Sequence, residues 1–140
     1  MIAYVDTSAL LKLIVDEEGS DRVEPVWDTA DVIVAASVIV VEARAALAAA
    51  ARGRRITAAQ HRAAKQELTM LVDQLTIVAV TEELVPMAAD LAEREALRGY
   101  DALHLAAALT VGATVLASAD ADLCAAAERR QLHVANPLDA

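Results

Sequence analysis

Asp6, Glu42, Asp101 and Asp120 each stand where an apolar, strand-like run gives way to a helix-like one. Asp6 follows Ile2-Ala3-Tyr4-Val5, and Glu42 lies in the helix after Val32-Ile33-Val34-Ala35. Asp101 opens Ala102-Leu103-His104-Leu105, and Asp120 follows Thr114-Val115-Leu116-Ala117. In an open parallel sheet such turns share one edge, where ligands bind. Carboxylates gathered there repel one another unless a cation sits between them. Mg²⁺ and Mn²⁺ prefer oxygen donors, and Mg²⁺ takes one or two carboxylates and leaves room for substrate phosphate. Such an ion lowers the pKa of a bound water and shields charge in the transition state. The chemistry indicated is attack on a phosphodiester by metal-activated water. Asp6 and Asp101 are best placed as direct ligands. Glu42 and Asp120 would bind through water, orient the nucleophile or hold a second ion. Asp122, two residues into a helix, is a further candidate.

Each acid also has a plainer role open to it. Asp6, Asp101 and Asp120 all suit helix N-caps. Glu42 is harder to explain away, because its apolar neighbours suggest burial and a buried unpaired carboxylate is costly. Thr7 and Ser8 can anchor the Asp6 carboxylate or a metal-bound water, or simply cap the first helix. His104, one turn after Asp101, is either a general base or a packed helix residue. Arg52-Gly53-Arg54-Arg55 can grip a phosphate backbone or serve as a solvated hairpin tip. A covalent aspartyl phosphate is disfavoured. Enzymes of that kind need a Lys near the later strands, and the only lysines are Lys12 and Lys65. The phosphatases among them also want an acid two residues after the first Asp, where Ser8 stands.

The elements that must position these groups are legible from periodicity and breakers. Strands are expected over 2–5, 32–35, 76–80, 114–117 and 132–135. Helices are expected from Thr7 to about Ile14, from Ser20 or Asp21 with Pro25 awkward inside it, and from Val38 to Ala51 with Ser37 as cap. Thr57 to Gln60 fits a capping box for the next helix, which pairs with the preceding one as a hairpin. Further helices are expected from Thr81-Glu82-Glu83 to about Leu97, ended by Gly99, then from Asp101 to about Val111, then from Asp120 or Ala121 to Arg130. Strands alternating with helices predict a single domain over 1–140. The expected fold is a three-layer α/β/α arrangement on a mostly parallel sheet of four or five strands.

Bulk properties narrow the setting. The chain is 57% hydrophobic and 2% aromatic with no Phe, so Ala, Val and Leu must fill the core. No apolar run approaches the roughly 20 residues that span a bilayer, and Asp6, Lys12 and Asp16 interrupt the start where a signal peptide would be apolar. Cys124 is alone, so no internal disulfide is possible; it reads as a small buried helix residue, and a cytoplasmic location is the default. The net charge of −9 opposes broad attraction to nucleic acid. Half of the Lys and Arg residues nevertheless fall between Arg44 and Lys65.

Asp6-Thr7-Ser8-Ala9-Leu10, Val41-Glu42-Ala43, Asp101-Ala-Leu-His-Leu-Ala106 and Ser118-Ala-Asp120-Ala-Asp122-Leu123 resemble the signatures of PIN-domain ribonucleases, in family order along nearly the whole chain. Short members of that family are chiefly VapC-type toxins of bacterial toxin–antitoxin pairs. The resemblance implies an Mg²⁺- or Mn²⁺-dependent endoribonuclease that cuts structured RNA. It implies a homodimer, inhibited by an antitoxin whose C-terminal segment reaches the acidic site. It assigns Asp6 and Asp101 as metal ligands, with Glu42 and Asp120 completing the site. Ser118 keeps the hydroxyl that the family often supplies as Thr, and joins Thr7 and Ser8 in orienting the acids. Asp122 matches a variable position. Two other readings stay open: a non-catalytic PIN-fold module that binds a protein partner, and a nuclease directed at DNA.

Overall fold

A computed structural model describes residues 1–139. Five strands form one sheet: β1 (Ile2–Val5), β2 (Val32–Ala36), β3 (Thr76–Val78), β4 (Val115–Ala117) and β5 (His133–Ala135). Their spatial order is β3-β2-β1-β4-β5, and every pairing is parallel. The register sets Tyr4 beside Val34 and Leu116, so β1 lies at the centre. The helices are α1 (Thr7–Leu11), α2 (Ser20–Thr29), α3 (Val38–Arg52), α4 (Ala58–Asp73), α5 (Leu84–Arg94), α6 (Gly99–Thr110) and α7 (Ala121–Arg129).

The core is double because a parallel sheet buries both faces. Tyr4, Val34, Ala36 and Leu116 pack with Leu84, Leu91, Leu105 and Leu123 of α5, α6 and α7. Val5, Ala35 and Ala117 pack on the opposite side with Leu10, Ile39, Leu47 and Leu68 of α1, α3 and α4. Successive strand residues thus feed alternate layers, as strand geometry requires. Small residues let α6 approach the sheet closely: Ala102, Ala106, Ala107 and Ala108 are all buried.

Several boundaries differ from the sequence expectation. Gly99 begins α6 instead of ending α5, which stops at Arg94; Ala96 takes the left-handed turn at φ 52°. Helix α1 ends at Leu11, short of Ile14, and Pro25 sits inside α2 without stopping it. Ser37 is the residue before α3 but makes no side-chain cap bond. The Thr57–Gln60 capping box is present in both directions, and Gly112 closes α6 at φ +67°. Strand β3 ends at Val78 and not Val80, while β2 extends to Ala36.

Candidate active site

The C-terminal ends of β1 and β4 meet at one sheet edge, where the Asp6 amide donates to the carbonyl of Ala117 at 3.1 Å. Asp6 begins α1 and Asp120 begins α7. Each accepts a capping bond, from Ala9 and Leu123 respectively, so both do serve as N-caps. Asp101 does not cap. It lies in the first turn of α6, behind Arg98. Glu42 sits one turn into α3.

Asp6 is almost completely buried, at 4% exposure. Oδ1 accepts from the Ser8 hydroxyl at 2.7 Å and from the Ala9 amide at 3.0 Å. Oδ2 accepts from the Ser118 hydroxyl at 2.6 Å. Burial pushes the Asp6 carboxyl above its ordinary value, and the bonds from Ser118, Ser8 and Ala9 offset only part of that. Ser8 also accepts from the Ala119 amide, and Ser118 from the Asp120 amide, so the two hydroxyls stitch the β1 and β4 loops together.

Glu42 has a different set of partners. Thr7 donates to its Oε1 at 2.9 Å, and His104 Nε2 lies 2.6 Å from the same atom. Thr7 therefore anchors Glu42 and not Asp6, because the turn of α1 directs successive side chains to different neighbours. Burial pushes Glu42 up, but the hydrogen bond and attraction of His104 and the Thr7 hydroxyl outweigh it, so its carboxyl sits below its ordinary value. His104 is 1% exposed, and its Nδ1 lies 2.6 Å from the Tyr4 phenol, so it is packed yet joined to the acidic site.

Arg98 bridges the remaining pair. Its Nε donates to Asp101 Oδ2 at 3.1 Å and its Nη2 to Asp120 Oδ2 at 2.8 Å. Burial and repulsion from Asp120 raise the Asp101 carboxyl, and Arg98 pulls it back only in part. Asp122 is exposed on α7 and adds to the field that holds Arg98 protonated. Arg98 was not legible as a site residue, although its place three residues before Asp101 is the spacing of a helical ion pair. The Cys124 thiol donates to the Ser118 carbonyl at 3.3 Å and is pushed up to about 11 by burial, which suits an inert thiol.

Glu42, Arg98 and Asp101 line one cleft of about 670 Å³, whose apolar wall includes Val80, Val85 and Leu103. Asp6 and Asp120 lie beside it on the sheet edge, linked through Ser118 and Arg98. Among the described residues no three His, Cys, Asp or Glu side chains are grouped closely enough to form a ready metal cage. The donor chemistry still fits a hard divalent ion. Every candidate donor is a carboxylate oxygen, and Mg²⁺ needs only one or two of them. A cation is already held between Asp101 and Asp120, in the form of the Arg98 guanidinium. The basic turn at 52–55 is exposed at the tip of the α3–α4 hairpin.

The chain and its fold have relatives. The family model described as PIN domain matches residues 3–129. The chain belongs to the PIN domain family. It is 36% identical over 132 residues to Ribonuclease VapC45 of Mycobacterium tuberculosis, covering 94% of this chain and 87% of that protein. Its fold matches the crystal structure of Mycobacterium tuberculosis VapC20, a sarcin-ricin loop cleaving toxin, with a TM-score of 0.69 at 21% identity, covering 89% of this chain and 94% of that one. It also matches VapBC-5 of Mycobacterium tuberculosis, a member of the VapBC family of toxin–antitoxin systems, with a TM-score of 0.66 at 18% identity and coverage of 96% and 98%. These two likenesses establish the PIN fold.

Proposed function

We propose that this chain is an endoribonuclease, the toxin of a bacterial toxin–antitoxin pair, which hydrolyses RNA phosphodiesters with Mg²⁺ or Mn²⁺. The observation that carries the reading is the convergence of Glu42 and Asp101 on one cleft, next to the buried Asp6, in a chain that is 36% identical to a named ribonuclease. Asp6 and Asp101 would hold the ion, with Asp120 and Glu42, and Asp122 through water, completing its surroundings. Bound there, the ion would supply a more acidic water and shield the charge that develops on phosphate.

The chain's own residues do the rest. Ser8 and Ser118 fix both oxygens of Asp6. Thr7 and His104 fix one oxygen of Glu42 and leave Oε2 without a protein hydrogen bond among the described residues. That oxygen is left free to face an ion in the cleft or a water beside it. Arg98 would have to leave Asp101 and Asp120 for them to hold a divalent ion, and its side chain, 80% exposed, has the freedom to do so.

The partners follow from the same reading: RNA as substrate, a second copy in a homodimer, and an antitoxin. An arginine-bearing antitoxin tail would complement both the acidic cleft and the net charge of −9. No helix among the described residues is long and apolar enough to cross a membrane, and we place the protein in the cytoplasm. Cellular RNA incubated with wild-type, Asp6→Asn and Asp101→Asn proteins tests the reading. Cleavage by wild type alone supports it, and no cleavage by wild type in Mg²⁺ or Mn²⁺ overturns it. The absence of a ready metal cage favours one rival, a non-catalytic module that binds a protein partner. That rival predicts no gain in thermal stability with Mn²⁺.

A further inference from the structure

A buried chain of polar groups runs behind the cleft, across four elements. The Ala36 amide at the end of β2 donates to the Tyr4 hydroxyl of β1 at 3.0 Å. That hydroxyl lies 2.6 Å from Nδ1 of His104 in α6, and Nε2 of the same ring lies 2.6 Å from Glu42 Oε1 in α3. The Tyr4 and His104 rings meet edge-on, with centroids 5.7 Å apart.

For a neutral ring beside an ionised Glu42, one arrangement of hydrogens satisfies every group along this chain. A tyrosine phenol carries its hydrogen at ordinary pH. Its oxygen already accepts from Ala36, so its own hydrogen is directed to Nδ1. Nδ1 is therefore an acceptor, and the ring carries its hydrogen on Nε2, pointed at the Glu42 carboxylate. The other tautomer would leave the Tyr4 hydrogen without an acceptor and set two lone pairs against each other at Glu42.

We propose that His104, held in its Nε2–H tautomer by Tyr4, is a positioning residue that pins Glu42 by one oxygen and so presents the other to a divalent cation in the cleft. This role rests on the reading of the cleft as a metal-dependent site. A buried imidazole needs a partner at each nitrogen in any role; what points to positioning is that the Nε2 partner is a carboxylate lining the cleft, held at the same oxygen that Thr7 holds. Thr7 alone cannot do the same work. Its hydroxyl can rotate and accept as well as donate, whereas the tautomer-locked imidazole can only donate. The arrangement parallels the general rule that groups behind metal ligands set ligand orientation and affinity.

The test uses the full chain, Mn²⁺ as the probe, and two variants that divide the ring's two contacts. His104→Gln keeps a donor in the place of Nε2; His104→Asn keeps a polar group only in the place of Nδ1. Electron paramagnetic resonance titration of free Mn²⁺ reads the affinity. The expected result is near-wild-type binding by His104→Gln and binding weakened by about 10–100-fold in His104→Asn, the usual range for loss of such a supporting group. Equal Mn²⁺ affinity in the two variants overturns the proposal. Nitrogen-15 spectra of the wild-type imidazole give an independent readout that needs no variant to fold. Hydrogen on Nε2 with Nδ1 bare is expected, and hydrogen on Nδ1 overturns the proposal. If wild type binds no Mn²⁺ at all while the imidazole carries hydrogen on Nε2, the metal-dependent reading of the cleft fails, and the proposal falls with it. Binding by wild type with no difference between the variants sinks the positioning role alone.

Discussion

Replacing Ser118 by Ala should cost stability in a way that depends on pH. Ser118 is fully buried and donates to Asp6 Oδ2 at 2.6 Å, while accepting from the Asp120 amide at 3.0 Å. A hydrogen bond to a charged group contributes about 1.5–3 kcal/mol, and the partly buried amide left behind adds about 1 kcal/mol or less. The loss near neutral pH is therefore about 2–4 kcal/mol. Asp6 has a folded pKa above its unfolded one, because burial dominates. Its contribution is thus favourable below the usual Asp range and is lost as pH rises through the folded value. Ser118 limits that loss, so its removal raises the folded value further and the penalty grows with pH. In acid, where Asp6 is protonated, the bond is a neutral one and the penalty shrinks to about 1–2 kcal/mol. At about 4 °C per kcal/mol for a chain of this size, thermal melts should show a fall of about 8–16 °C near neutral pH and about 4–8 °C in acid. Ser118→Thr, which keeps the hydroxyl, should stay close to wild type at both. An identical drop for Ser118→Ala at the two pH values would refute the claim that this hydroxyl supports a buried charge.

Other perturbations give equally definite outcomes. Asp6→Asn should melt higher than wild type near neutral pH without divalent ions, and the advantage should vanish as pH falls through the usual Asp range, since Asn carries no charge to desolvate. A neutral-pH melt no higher than wild type would contradict this. Arg98→Ala should lower Tm in the absence of divalent ions, because Asp101 and Asp120 then face each other uncompensated, and Mn²⁺ should restore more stability to the variant than it adds to wild type. An equal Mn²⁺ response would show that ion and guanidinium do not compete. Leu105→Ala removes a fully buried side chain from the layer beneath α6. Urea unfolding should show a loss of about 2–5 kcal/mol, with a smaller loss pointing to collapse of the cavity.

The sheet was legible because its strands are short apolar runs, and each of the five overlaps the run that periodicity picks out. The positions of Asp6 and Asp120 and of the hydroxyls at 8 and 118 were legible because they stand at strand–helix junctions on one edge; Asp101 does not, since α6 follows helix α5 and no strand precedes it. Thr7 was misdirected because its partner, Glu42, is far away in sequence and adjacency pointed to Asp6. Arg98 was hidden by Gly99, which reads as a stop signal but lies inside α6 because tertiary packing of the alanine face decides where that helix begins. Tyr4 left one clue: a phenol within a buried strand must find a polar partner. Which partner it finds depends on how α6 crosses β1, and local pattern does not encode that.

The most direct test of the account is cleavage of RNA in ¹⁸O-labelled water with Mn²⁺ present, followed by mass spectrometry of the fragment ends. Direct attack by water predicts solvent oxygen in the terminal phosphate, no 2′,3′-cyclic phosphate, and no product from Asp101→Asn or in the presence of EDTA. Cyclic termini, or cleavage that persists without divalent ions, would contradict it.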